Sequence, residues 1–211
     1  MLDIRGKIKL YLSLLRNRDW RAINYRLQFL FRQIDLRNVY LEELNLSPKS
    51  AHYYSDSGGP TLEKLLTNLK ISPQDSIIDF GCGKGGALIT FANFPFAKIT
   101  GIEISAKLVN IAQRNLRKLW IDNIDIICCN AKEFTALNEY NYVYFFSPFP
   151  YPVMQAVIEN IKKSLSKNPR RITIIYLNPE CHDAVVTDSP FVKQREFDHP
   201  SLKYYIYINS E

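Results

Sequence analysis

Two hundred and eleven residues, 46% of them apolar and 23% charged, describe one ordinary globular domain, long enough to bury a core without disulfides or metals. That excludes disorder, collagen and a cysteine-stapled mini-protein, and no run of about 18 apolar residues is present to span a membrane. The formal charge is +6, and the whole excess lies in residues 1–38, where nine basic residues (Arg5, Lys7, Lys9, Arg16, Arg18, Arg21, Arg26, Arg32, Arg37) meet three acidic ones (Asp3, Asp19, Asp35). The pattern is a neutral body with a basic N-terminal arm.

Lys7, Lys9 and Arg16 interrupt any apolar stretch that could act as an export signal, so the expected compartment is the reducing cytoplasm, with membrane-surface contact open to the basic arm. The four cysteines are Cys82, Cys128, Cys129 and Cys181. None forms a CxxC pair and no histidine lies at zinc spacing, so no metal site is expected. Cys128 and Cys129, side by side in an apolar run, read as buried small hydrophobes.

In chain order, residues 4–15 and 20–34 have helical periodicity, with stripes Ile4, Ile8, Leu12, Leu15 and Ile23, Leu27, Leu30, Ile34. These helices make residues 1–50 an extension and residues 51–211 the main domain. The extension has three readings: a helical cap with a solvated basic face, a nucleic-acid contact, or an anionic membrane contact. The cap is the preferred one. A mixed connection then ends in Tyr53-Tyr54-Ser55-Asp56-Ser57-Gly58-Gly59, which reads equally as a lid or an ordinary polar loop. A helix with Leu62, Leu65, Leu66 and Leu69 on one face follows.

After Pro73 strands and helices alternate. Strands are predicted at 76–80, 98–103, 124–129, 142–146 and 172–177, with helices at 85–93, 106–119 and 152–165. The strands are apolar on both faces, as buried parallel strands are. The order is that of a doubly wound α/β sheet. Strands at 191–197 and 203–208 are separated by too few residues for a crossover, so they form a closing antiparallel hairpin.

The chemistry concentrates at Asp79-Phe80-Gly81-Cys82-Gly83-Lys84-Gly85-Gly86, directly after the first strand and opening a helix. Glycines there let the backbone turn sharply and approach a ligand. Glu103 ends the next strand, where a carboxylate accepts the hydroxyls of a ribose. Gly81, Gly83 and Gly86 also fit GxGxxG, so a dinucleotide oxidoreductase is the rival enzyme, and a non-catalytic cofactor-binding partner the rival outside enzymes. Against a dinucleotide, Asp79 would repel a pyrophosphate but suits a cationic ammonium, and nicotinamide domains do not normally close with such a hairpin.

Residues 76–85 resemble motif I of the class I S-adenosylmethionine-dependent methyltransferases. Gly101-Ile102-Glu103-Ile104-Ser105 resembles their motif II, Asn130-Ala131 their adenine-reading pair, and Phe146-Ser147-Pro148-Phe149 occupies their motif IV. The resemblance covers about residues 55–210. It implies a Rossmann-like, mostly parallel seven-stranded sheet of order 3-2-1-4-5-7-6, with strand 7 antiparallel. It assigns Gly81, Cys82, Gly83 and Gly85 to the methionine and ribose portion of S-adenosylmethionine. Asp79 goes to the ammonium, Glu103 to the ribose, Ile104 to the adenine face, and Asn130 and Ala131 to the adenine edge. The chain is most similar to small bacterial members with a GCGKGR loop and Asn-Pro-Phe at motif IV; here Gly86 replaces the Arg and Ser147 the Asn.

In amino-methylating members, motif IV orients the target nitrogen through its polar side chain and the proline carbonyl, while an aromatic stacks on the target. Ser147, Pro148 and Phe149 are the catalytic residues this implies, and nitrogen is the favoured acceptor atom. A neutral amine must also lose a proton. His52, beside the lid tyrosines, is a candidate for that step. Cys181-His182, after the fifth strand, reads as a loop at the functional edge of the sheet. The acceptor itself (protein, RNA, lipid, saccharide or small molecule) is not named by the sequence.

Overall fold

The structure, a computed structural model, describes residues 20–199 and 202–210. The helix expected at 4–15, and with it most of the basic arm, lies outside the described residues. Helix α1 (Trp20–Phe31) and the short α2 (Leu41–Leu44) precede α3 (Pro60–Thr67). Then come β1 (Ser76–Phe80), α4 (Gly86–Phe91), β2 (Lys98–Glu103), α5 (Ala106–Lys118), β3 (Ile124–Cys128) and β4 (Tyr142–Phe146). The chain ends with α6 (Tyr151–Lys167), β5 (Thr173–Leu177), α7 (His182–Val186), β6 (Phe191–His199) and β7 (Leu202–Asn209).

The seven strands form one sheet of order β3-β2-β1-β4-β5-β7-β6. β3, β2, β1, β4 and β5 are parallel, with Ile77 opposite Ile99 and Tyr142 opposite Thr173. β7 inserts antiparallel between β5 and β6, with Tyr176 opposite Tyr205. This is the order the family resemblance implies, closed by the hairpin that the short connection in the sequence predicts. The order reverses at β1, where successive crossovers leave to opposite sides, and the carboxyl ends of β1 and β4 therefore open a crevice.

Strand alternation divides the core. On one face Ile78, Phe80, Val143, Phe145 and Ile174 pack against Met154, Val157, Ile158 and Ile161 of α6. On the other, Ile77, Tyr144 and Ile175 pack against Leu62 and Leu66 of α3 and Leu88 and Phe91 of α4. Helix α5 is capped by Ser105, whose hydroxyl accepts from the Leu108 N–H; Leu108, Ile111 and Leu116 are buried, as its periodicity predicts.

Four expectations are corrected. β3 is not buried on both faces: it is the outermost strand, with half-buried and exposed positions along its length. For the same reason Cys128 is exposed and Cys129 only half-buried. The stripe on α1 holds at buried Ile23 but fails at Leu30, which is 69% exposed near the end of the helix. Cys181-His182, read as a loop, instead opens α7, with Cys181 at its N-cap and His182 its first residue, and the helix buries Ala184 and Val185.

Residues 33–54 lie against the main body. Val39 and Tyr54 form an antiparallel bridge. Asp35 receives Lys84 Nζ at 3.0 Å, and Asn115 of α5 bonds both the amide and the carbonyl of Asp35. Hydrogen bonds from Arg37 and Lys84 outweigh the effect of burial and hold the Asp35 carboxyl below the usual carboxylate range.

Candidate active site

A cavity of about 300 Å³, within the range of small-molecule sites, opens over the carboxyl ends of β1, β2 and β4. Its floor comes from the first crossover. The turn after β1 is held by the N–H groups of Gly81 and Cys82, both donating to the Ile102 carbonyl at 2.8 and 3.0 Å. Gly81 has φ 84°, and a Cβ there would lie 2.5 Å from Pro148 Cβ. Only glycine allows both the backbone conformation and that approach. Gly83 is restricted in the same way, by φ 54° and by the ring of Tyr54 lying against it.

Glu103 ties the floor together. Its Oε2 accepts from the Gly83 N–H at 3.0 Å and its Oε1 from the Ser105 N–H at 2.8 Å. Each oxygen keeps a lone pair for a further donor. Burial raises its pKa, opposed by the N–H groups of Ser105, Gly83 and Ile104. Asp79 is 3% exposed. Burial, and then the charge of Glu103, push its carboxyl well above the usual carboxylate range. The same two carboxylates, after burial itself, push the Cys82 thiol up.

Of the sequence-predicted cofactor residues, Asp79, Gly81, Cys82, Glu103, Ile104, Asn130 and Ala131 all line this cavity. Asn130 also accepts the Lys132 N–H, which fixes the turn after β3. Gly83 and Gly85 do not line it; Gly83 lies under Tyr54, and Gly85 packs toward Ala112 of α5. Gly86 does line it, and the space a side chain would need there is filled by the Asp56 carboxylate. Lys84, in the middle of the loop, points away from the cavity, is 2% exposed and pairs with Asp35.

The facing wall is built from residues far apart in sequence. Ser147, Pro148 and Phe149 line the cavity as the motif implies. Their bonding differs from the implied pattern. The Pro148 carbonyl, expected to face the target amine, accepts the His52 N–H at 3.1 Å. Phe149 is buried in the core and meets Phe145 edge-on at 6.2 Å. Ser147 has φ 33°, is 8% exposed, and its Oγ has no partner among the described residues. Its carbonyl lies 2.8 Å from His52 Nδ1.

Residues 50–57 form the rest of this wall, with Leu44 and Leu46 from the segment before them. Sequence reasoning missed Asp56 and Glu180, both of which line the cavity. The available signals were an acid within a Ser/Gly turn and an acid directly after Asn178-Pro179 at a parallel strand's carboxyl end. Asn178 Nδ2 donates to Glu180 Oε1 at 2.8 Å. The charged residues around the cavity are thus Asp56, Asp79, Glu103 and Glu180; among the described residues no Lys or Arg lines it.

A family model described as a methyltransferase domain matches residues 71–200. The chain belongs to the methyltransferase-domain family, and its motifs and sheet order are those of the class I S-adenosylmethionine-dependent members. Over 101 residues it is 29% identical to a ribosomal RNA small subunit methyltransferase A from Malacoplasma penetrans, covering 48% of this chain and 36% of that protein. Over 77 residues it is 32% identical to a probable cobalt-precorrin-6B C(15)-methyltransferase (decarboxylating) from Methanobrevibacter smithii, covering 34% and 41%. This chain therefore spans well under half the length of those curated relatives. An RNA methyltransferase structure from Salinibacter ruber, in complex with S-adenosyl-L-homocysteine, aligns with a TM-score of 0.56 at 16% identity, over 72% of this chain and 92% of that one. That likeness is one of fold. The relatives act on unlike acceptors by their names, so the family carries the cofactor crevice and leaves the acceptor open.

Proposed function

We propose that this chain transfers the methyl group of S-adenosylmethionine to a nitrogen atom of a neutral or cationic acceptor. The carrying observation is the acidity of the cavity: four carboxyl groups and, among the described residues, no Lys or Arg. Two of the acids, Asp79 and Glu103, are buried and interact with each other, with no Lys or Arg at the cavity among the described residues. Such a pair is costly until a positive ligand arrives. The cofactor fits that demand, because it carries an ammonium and a sulfonium and no phosphate.

S-adenosylmethionine supplies an already activated methyl group, so the protein's part is alignment and exclusion of water. Asp79 holds the ammonium. Glu103, anchored by Gly83 and Ser105, takes the ribose hydroxyls. Ile104 packs on the adenine, and Asn130 and Ala131 meet its edge. Asp56 and Glu180 keep the rest of the cavity acidic, which repels phosphate-bearing groups and draws in amines. Ser147 Oγ, buried and without a partner among the described residues, accepts a hydrogen bond from the target N–H.

The test is the bond formed. Purified protein is incubated with 13C-methyl cofactor and fractionated cell extract, and the labelled product is identified by carbon chemical shift and mass. N–CH3 in an amine or amide product is expected. O–CH3 or C–CH3 as the main product contradicts the nitrogen assignment.

A further inference from the structure

An amine attacks only with its lone pair free, and the neutral methylated product has one proton fewer than the ammonium formed on attack. A proton acceptor is therefore needed at the cavity. Asp79 and Glu103 are occupied with the cofactor in the reading above, on which this inference rests. His52 is held where a base is required. Its Nδ1 lies 2.8 Å from the Ser147 carbonyl. A carbonyl oxygen only accepts, so Nδ1 carries the ring proton and Nε2 keeps its lone pair. The backbone fixes the same residue a second time, through the His52 N–H and the Pro148 carbonyl at 3.1 Å. Tautomer and position are thus set by two carbonyls of motif IV, while Nε2 has no hydrogen-bond partner among the described residues. His52 lines the cavity together with Ser147, the residue whose Oγ faces the target nitrogen in that reading.

We infer that His52 is the general base for methylation of a nitrogen nucleophile, with Ser147 Oγ bonded to that same nitrogen. The N–H proton passes to Nε2. The N–CH3 bond forms as the S–CH3 bond breaks, the bonding pair stays on sulfur, and the imidazolium returns its proton to water. The acceptor is accordingly an N–H group that binds unprotonated or gives up its proton at the site, rather than a quaternary or fully substituted nitrogen.

The informative variant is His52→Asn. Its side-chain amide places an N–H where Nδ1 stood, so the bond to Ser147 is kept and the base is lost. Calorimetry with S-adenosylhomocysteine reads cofactor binding separately from turnover. Label transfer from methyl-labelled cofactor to the amine-rich fraction of cell extract reads the reaction. We expect homocysteine-nucleoside affinity within about twofold of the parent and transfer slower by 100-fold or more. His52→Ala should regain part of its transfer on addition of imidazole. Nitrogen NMR of the parent's ring, with S-adenosylhomocysteine bound, should show the Nδ1-protonated tautomer. Transfer by His52→Asn within about threefold of the parent, an Nε2-protonated ring, or loss of nucleoside binding in both variants would overturn the assignment. Failure of the parent itself to bind S-adenosylhomocysteine would instead strike the methyl-transfer reading.

Discussion

The proposed cofactor side of the cavity comes mostly from one stretch, residues 76–105, joined by Asn130 and Ala131 after β3, whereas the facing wall gathers residues 44–57, 146–149 and 178–180. The first is specified by backbone: Gly81 and Cys82 N–H groups on the Ile102 carbonyl, and Glu103 on Gly83 and Ser105. The second is specified by side chains and by contacts between remote segments, such as His52 on Ser147 and Lys84 on Asp35. A wall closed by its own local hydrogen bonds tolerates change elsewhere in the chain. A wall assembled from distant pieces can be altered one piece at a time, which suits the part that selects an acceptor.

The largest effect is expected where the two walls touch. Gly81→Val drives a side chain onto Pro148 and forces a β-branched residue to φ 84°. The left-handed backbone alone costs about 1–2 kcal/mol. Binding of S-adenosylhomocysteine should be abolished and the unfolding midpoint lowered; near-parent binding by calorimetry would show that the walls are not in register at this glycine.

Next comes Glu103→Ala, confined to the cofactor side. It removes the proposed acceptor of the ribose hydroxyls and releases the Gly83 and Ser105 amides. Affinity should fall by about 1.5–3 kcal/mol, the range for charge-assisted hydrogen bonds. Unchanged affinity would remove Glu103 from the ribose site.

A smaller change is expected on the other side. Asp35→Asn weakens the pairing that fastens residues 33–54 to the glycine loop through Lys84. Lys84 is buried but Asp35 is partly exposed, so the loss should be about 1–3 kcal/mol of stability, between exposed and buried pairs. Urea unfolding measures it. If this fastening serves the acceptor wall, transfer should fall more than nucleoside affinity; the reverse order would assign it to the cofactor side.

Much of this division was legible before any coordinates. The strands, the closing hairpin and the β1–β2 crevice are carried by local signals (apolar runs, glycines at a strand tip, an acid ending the next strand), whereas the strand order came only with the family resemblance of those motifs. Edge exposure was not legible. Ile126 and Cys128 look like core residues until β3 is known to lie at the sheet edge, and Leu30 has the spacing of a buried position but is 69% exposed. Nor could the spacing show that Gly83 would lie beneath Tyr54, or that Gly86 leaves room for Asp56. Those pairings depend on where remote segments dock. His52 was visible as a histidine near a candidate lid, but the Ser147 carbonyl that meets its ring and the Pro148 carbonyl that holds its backbone N–H belong to residues about a hundred positions away.

The most direct test is a calorimetric titration of the purified chain with S-adenosylhomocysteine, repeated in two buffers of different ionisation enthalpy and with Asp79→Asn. Burial and Glu103 hold the Asp79 carboxyl well above the ordinary range in the free protein. A carboxyl raised on folding adds stability that is fully present below its unfolded pKa and is lost as pH rises through the raised value. Asp79→Asn should therefore stabilise the free protein above that value and not below the ordinary carboxylate range. Binding of an ammonium favours the carboxylate, so the parent should bind one equivalent with release of protons and bind more tightly as pH rises, and Asp79→Asn should lose both effects. An absence of heat with S-adenosylhomocysteine, alongside tight binding of a nicotinamide dinucleotide, would contradict the account.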